Sequence, residues 1–280
     1  MTVVAIWYEP TENSLWAVTD SRISAPGQSG GVKVRTDSAA KLFSLPVVCF
    51  QFGDNPSVEL PPLQATTYGF AFSGNPTLAL MTFANSVALL QQLITVSGNG
   101  PPTLREVVCA VWSLAERFLT EARTNDSSYD SRFEWAVFGW CPRNCRYEIY
   151  HLEPLPTVQG PSFTLTETFP IDDTKIVAFG SGKQKLLEEV ERIRKCGDLH
   201  GRHGRYPKLA IESMIQSYSN PTVGGSVSIG IANQYRFQLY YWVSPIEIGN
   251  AQAKRTFNGI DLDNLPGGFS HHVIGTHGMV

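Results

Sequence analysis

Thr2-Val3-Val4-Ala5-Ile6-Trp7-Tyr8, then Glu9-Pro10-Thr11-Glu12-Asn13, then Ser14-Leu15-Trp16-Ala17-Val18-Thr19-Asp20 is the stretch on which the fold turns. Two runs rich in β-branched and aromatic residues flank a short Pro/Asn turn, which is the pattern of a β-hairpin. No Lys or Arg stands ahead of the first apolar run, so it reads as a first strand rather than a signal peptide. The chain thus opens on an antiparallel pair.

Outward from the hairpin, residues 21–40 are Gly/Ser-rich and read as a mobile loop. Lys41–Ser44 and Val47–Phe52 are short strand candidates. A Pro-rich connection (Pro56, Pro61, Pro62) leads to a strand at Thr67–Phe72. Two helices are predicted next. One covers 76–94 with Pro76 in its first turn and a stripe of Leu80, Phe83, Val87, Leu90 and Ile94. It is apolar on several faces, as expected of a helix packed on most sides. The other covers 103–123, with Leu104, Val107, Val108, Val111, Ala115, Phe118, Leu119 and Ala122 at helical spacing.

Strands follow near 133–140, 146–152 and 175–179. Helices are predicted at 183–196, with Leu186, Val190 and Ile193 inward and Gly197 as the stop, and from Pro207, with Leu209, Ile211, Met214, Ile215 and Tyr218. Two late strands, Gly225–Ile231 and Tyr235–Trp242, complete the pattern. In the first of them Val227, Ile229 and Ile231 alternate with Ser226, Ser228 and Gly230. Strands, two helices, strands, two helices, strands is not βαβ alternation, so a doubly wound sheet is excluded. The order predicts an α+β fold, a four-layer αββα sandwich of two mostly antiparallel sheets. Residues 2–242 read as one domain and 243–280, which lack any period, as a C-terminal extension.

Composition sets limits on function. The 280 residues are 42% hydrophobic and 17% charged, with a net charge of −3 and no basic block. Nothing asks for a nucleic acid or an anionic membrane as partner, and no apolar run reaches the ~18 residues of a membrane span. Five scattered cysteines are an odd number and fit a reducing cytoplasm. Cys141 and Cys145 flank a probable turn without a second pair nearby, which does not make a zinc site. His200 and His203 sit in a basic loop, and His271, His272 and His277 lack ligand spacing. No metal or cofactor is expected.

Several short segments recur in a telling order: Met1-Thr2-Val3-Val4, Val18-Thr19-Asp20-Ser21-Arg22, Lys41-Leu42, Ala71-Phe72-Ser73-Gly74, Gly180-Ser181-Gly182 and Val223-Gly224-Gly225-Ser226-Val227. Together they resemble the proteasome β-subunit family of N-terminal-nucleophile hydrolases, including bacterial relatives such as HslV. The resemblance covers about residues 2–242. It implies that Thr2, exposed once Met1 is removed, is the nucleophile, with Lys41 beside its hydroxyl and Asp20 holding that lysine. It implies Gly74 as an oxyanion donor, Ser181 as a hydrogen-bond partner of the free α-amine, and Phe72 as the floor of the pocket for the residue before the scissile bond. The Thr2–Asp20 spacing is slightly longer than usual, and the extra residues fit the turn at 9–13. The pattern breaks before the late Gly-Gly, where the family often has an aspartate and a serine. Here Asn220 and Val223 stand in those places.

The residues support this chemistry in their own right. A threonine hydroxyl needs a base, and an N-terminal residue carries one in its α-amine, whose reference pKa is about 7.7–8.0. A positive lysine lowers the pKa of nearby groups, and an aspartate can hold it by a charge-assisted hydrogen bond. Lys33 competes with Lys41, which is preferred because Leu42 follows it. A glycine N–H can approach a developing oxyanion. Bland readings stand beside each: a turn aspartate, a surface lysine, a glycine beginning a helix, a core phenylalanine, a Gly-Ser-Gly cap.

The leading expectation is a threonine peptidase working through an acyl-enzyme. Alternatives are an acyl transferase on the same site and a catalytically silent assembly subunit. The expected partners, by resemblance, are a peptide or unfolded protein substrate, further copies in a homo-oligomeric ring, and an ATP-dependent unfoldase.

Overall fold

The computed structural model describes residues 2–27, 31–51, 62–95, 100–125, 132–155, 162–169, 171–172, 174–196, 203–218, 220–243, 255–262 and 278–279. In chain order the strands are β1 (Val4–Glu9), β2 (Ser14–Asp20), β3 (Ile23–Pro26), β4 (Val32–Thr36), β5 (Leu42–Gln51), β6 (Pro62–Gly74), β7 (Leu93–Thr95), β8 (Phe133–Cys141), β9 (Arg146–Leu155), β10 (Ser162–Thr168), β11 (Ile176–Phe179), β12 (Val227–Ala232), β13 (Phe237–Val243), β14 (Arg255–Phe257), β15 (Ile260–Asp261) and β16 (Gly278–Met279). The helices are α1 (Pro76–Leu90), α2 (Leu104–Asn125), α3 (Lys183–Cys196) and α4 (Tyr206–Gln216). The fold is α+β, with two larger sheets that are mostly antiparallel. Among the described residues no helix is long and apolar enough to cross a membrane.

The chain forms two compact units interleaved in sequence. The first comprises residues 1–43, 173–231 and 239–280. Its sheet runs β11-β1-β2-β12-β13-β14-β15, with β16 alongside β13. The hairpin that opens the chain pairs Val4 with Thr19 through Glu9 with Ser14. Asn13 closes its turn at φ 46°, a left-handed conformation that asparagine tolerates. Because side chains alternate along a strand, Val3, Ala5 and Trp7 share one face with Trp16 and Val18. That face is covered by Leu186 and Val190 of α3 and Ala210, Ile211 and Met214 of α4. Full burial of each larger side chain contributes roughly 1.5–3 kcal/mol.

The second unit comprises residues 44–172 and 232–238, with the sheet order β10-β9-β8-β6-β5-β7. Asn75 caps α1 by accepting the Thr77 and Leu78 N–H groups at 3.0 and 3.1 Å, and Pro76 begins the helix. Thr103 and Glu106 form a reciprocal capping box ahead of α2. Phe70, Phe83, Trp135, Phe133 and Phe163 make the aromatic centre of this unit.

Four expectations need correction. Residues 23–36 are not simply a loop: β3 and β4 pair antiparallel. The two short strands at 41–52 are one strand, β5. The helix predicted to reach 94 stops at Leu90, and Ile94 lies in β7, parallel to β5. Its buried stripe is also different: Leu78, Ala79, Thr82, Ser86 and Leu90. Small residues at 79, 82 and 86 allow close packing, with Ser86 donating to the Thr82 carbonyl, so larger side chains turn outward. Finally, part of the tail is regular, since β14 and β15 extend the first sheet from β13. Gly197, His200, His271, His272, His277 and the Pro56–Pro61 connection lie outside the described residues.

Candidate active site

The hairpin delivers two residues to one end of the first sheet: Thr2, just ahead of β1, and Asp20, the last residue of β2. Asp20 is buried, and each of its carboxylate oxygens has two donors. Oδ1 accepts the Val3 N–H at 3.1 Å and the Lys41 ammonium at 2.9 Å. Oδ2 accepts the Arg22 and Gly224 N–H groups at 3.2 and 3.0 Å. A buried carboxylate so fully satisfied is not an orphan charge. One oxygen therefore holds the lysine and the peptide next to Thr2 together. Burial pushes the Lys41 ammonium below the ordinary lysine range, and Asp20 opposes that shift. Lys33, the competing lysine, is exposed on β4.

Thr2 is 3% exposed. Its carbonyl accepts the Gly182 N–H at 3.2 Å, which ties it to the Gly-Ser-Gly segment where α3 begins. A side chain at Gly182 would meet Val3 Cβ at 2.8 Å and Val223 Cγ2 at 2.9 Å, so glycine is what lets the two segments approach. Ser181 lies against Thr222. The Ser181 and Thr222 hydroxyl oxygens are 3.1 Å apart, and Thr222 donates to Asn220 Oδ1 at 2.7 Å. The single Thr222 proton is thus committed to Asn220, so Ser181 is the donor in the first bond. The lone pairs of Ser181 remain available to accept from an amine.

This revises the reading of the broken motif. Val223 belongs to the apolar core beneath α3 and α4, and the hydroxyl sits one residue earlier, on Thr222. Sequence reasoning passed over Thr222 because it compared positions one by one. The signal was present in Asn220-Pro221-Thr222, a turn that shifts the hydroxyl along the chain. Ser21 was also missed. Its hydroxyl accepts the Ser226 N–H at 2.7 Å and donates to the Asp37 carbonyl at 2.5 Å.

Gly74 and Phe72 lie in the second unit. Gly74 ends β6 at φ +94°, in the left-handed region, opposite Phe133. A side chain there would meet Phe133 Cα at 2.8 Å. Phe72 is buried on the strand face that carries Phe70. Cys141 is buried and accepts the Leu104 N–H, whereas Cys145 is exposed. Among the described residues no cluster of three or more His, Cys, Asp or Glu side chains is placed to hold a metal.

No family model and no curated protein matches the sequence. Solved structures do match. The helical assembly of the Anbu complex from Pseudomonas aeruginosa superposes with a TM-score of 0.55 at 14% identity, over 90% of this chain and 88% of that one. A Gly-1 mutant of Anbu from Hyphomicrobium sp. strain MC1 gives 0.53 at 16% identity, over 91% and 87%. At these identities the likeness is one of fold, and the fold is proteasome-like.

Proposed function

We propose that a chain with this proteasome-like fold is a threonine peptidase, with Thr2 as nucleophile after Met1 is removed. The observation that carries the reading is the shared oxygen of Asp20, which holds the Lys41 ammonium and the Val3 N–H beside Thr2. In the proposed reaction the neutral α-amine of Thr2 takes the hydroxyl proton, directly or through water, and Thr2 Oγ attacks the peptide carbonyl. The Lys41 charge favours the developing alkoxide. On the resemblance alone, Gly74 is proposed as an oxyanion donor and Phe72 as a pocket-floor residue. The tetrahedral species collapses to an ester on Thr2 as the amine product leaves with the proton. Water then attacks the ester and restores the hydroxyl. Ser181, backed by Thr222 and Asn220, accepts a hydrogen bond from the α-ammonium and keeps its orientation.

Homo-oligomeric assembly forms part of the proposal. The face of α1 bearing Leu80, Met81, Ala84, Ala88 and Leu89 is exposed, and α1 has no charged residue. An uncharged exposed face of this kind usually marks an interface.

A second reading, a silent assembly subunit, is favoured by the burial of Thr2. The two are separated by intact mass and by a β-lactone probe. The peptidase reading expects a chain lacking Met1 that gains the probe mass at residue 2. Retained Met1, or labelling at Cys109 or Ser181, would overturn it.

A further inference from the structure

The geometry points to the C-terminal hairpin β14–β15 as a clamp that positions Lys41, with Gly259 as its contact point. The hairpin hangs from the sheet by pairing Thr256 with Trp242 and Arg255 with Val243. Its turn is Asn258-Gly259, at φ 50° and 81°, the left-handed pair of a tight two-residue turn. That tip does not point into solvent. A side chain built at Gly259 would meet Asp37 O, Ser21 Oγ and Ser38 Cα, each at 2.7 Å. Ser38 Oγ donates to the Gly259 carbonyl at 3.0 Å.

The contacted segment, 37–39, is the run of chain that ends at Lys41. It is anchored on its other side by Ser21, whose carbonyl accepts the Ala39 N–H at 2.9 Å. Arg22 grips Asp37 in a two-pronged ion pair, at 2.6 and 3.1 Å. Segment 37–39 is therefore held between the residues that follow Asp20 and the tip of the tail hairpin. The Lys41 ammonium must reach a fully buried carboxylate, so the path of its backbone over the preceding three residues sets where it arrives.

The inference rests on the reading of Lys41 as a site residue, and its test separates the two. Gly259→Ala adds a methyl group where three atoms already crowd, at a φ that alanine resists. Ser38→Ala adds nothing and removes one bond to the hairpin. Asn258→Gly alters the same turn without touching segment 37–39 and serves as control. The first readout is acetylation of Lys41 by an amine-reactive ester, followed by peptide mass spectrometry. Lys208, 3% exposed on α4 of the same unit, is the internal reference for overall opening.

Selective acceleration of Lys41 over Lys208, on the order of tenfold in Gly259→Ala and smaller in Ser38→Ala, is expected from a local opening. Asn258→Gly stays at the wild-type rate. The second readout is peptidase kcat, expected to fall on the order of 10²-fold in Gly259→Ala with KM unchanged, as for a displaced positioning group. Wild-type protection of Lys41 in both variants, or a rise shared equally by Lys208, overturns the clamp. If Gly259→Ala does not fold, Ser38→Ala decides by the same labelling ratio. A wild-type protein without peptidase activity would sink the peptidase reading alone, because the labelling ratio needs no turnover.

Discussion

The Lys41 ammonium lies 2.9 Å from Asp20 Oδ1, with the two side chains 1% and 0% exposed. The same oxygen accepts the Val3 N–H. An ion pair this deep is a poor source of stability, because desolvation offsets most of the attraction. On the proposed reading, the pair serves to set the charge beside Thr2.

Lys41→Ala should reduce turnover on the order of 10²-fold or more, as loss of a positioned electrostatic group does. It should also cost about 3–5 kcal/mol of stability, because Asp20 would be left buried without its counter-charge. Lys33→Ala should be near wild type on both counts. Steady-state kinetics and denaturant unfolding of the two variants check this. The reverse ranking would show that the wrong lysine has been assigned.

Thr222→Val keeps the shape of the side chain and removes the hydroxyl between Ser181 and Asn220. Ser181 then loses its acceptor, and a drop of about 10–10²-fold in kcat is expected, the scale of a lost orienting contact. Thr222→Ser, which restores the hydroxyl, should recover most of it. Equal activity in the valine and serine variants would remove Thr222 from the site.

Leu80 and Leu89 on α1 are 43% and 56% exposed. Leu89→Glu should therefore leave the folded chain intact while weakening self-association. Light scattering coupled to gel filtration should report a mass of several chains for the wild type and a smaller species for the variant. A wild-type mass of one chain at micromolar concentration would sink the assembly proposal.

Glu189 joins α3 to α4. It accepts from Ser213 at 2.5 Å and from Arg192 at 2.6 and 2.8 Å. The Arg192 hydrogen bond, opposed by burial and aided by Ser213, takes its carboxyl from 4.5 to about 2. A depressed acid contributes stability above its unfolded value and loses it as pH falls through the folded one. The contribution should thus be full above pH 4.5 and fade towards pH 2. Glu189→Gln should be destabilised by about 2 kcal/mol at pH 7, the scale of a charged hydrogen bond. The gap from wild type should close in acid. A pH-independent gap would refute the linkage.

Gly69 lies beneath the Phe138 ring, and a side chain there would overlap the ring carbons. Gly69→Ala should cost about 1–3 kcal/mol through overpacking. Phe138→Leu, harmful alone, should partly rescue it. Thermal unfolding of the single and double variants gives the coupling; strict additivity would exclude the clash.

The opening hairpin, helices α2, α3 and α4 and the late strand pair could be read along the chain because their signals are local. A two-residue or 3.6-residue period reports which face is buried without saying against what. Asp20 and Lys41 could be proposed together from short motifs, and the fold brings their side chains within 2.9 Å of each other.

Helix α1 was harder to read, because it is apolar on several sides. Its inward face is chosen by how closely α2 approaches, and that favours Ala79, Thr82 and Ser86 over the larger leucines. Gly259 lay beyond reach altogether, and Thr222 carried no signal beyond the short turn at Asn220-Pro221-Thr222. Thr222 matters because a turn carries its hydroxyl to within 3.1 Å of Ser181, 41 residues away. Gly259 matters because the sheet brings it onto Ser38, 221 residues earlier. Periodicity along a chain extends over a few turns of helix or one strand. Contacts at such separations are set by how whole elements pack, and no residue type at either end announces them.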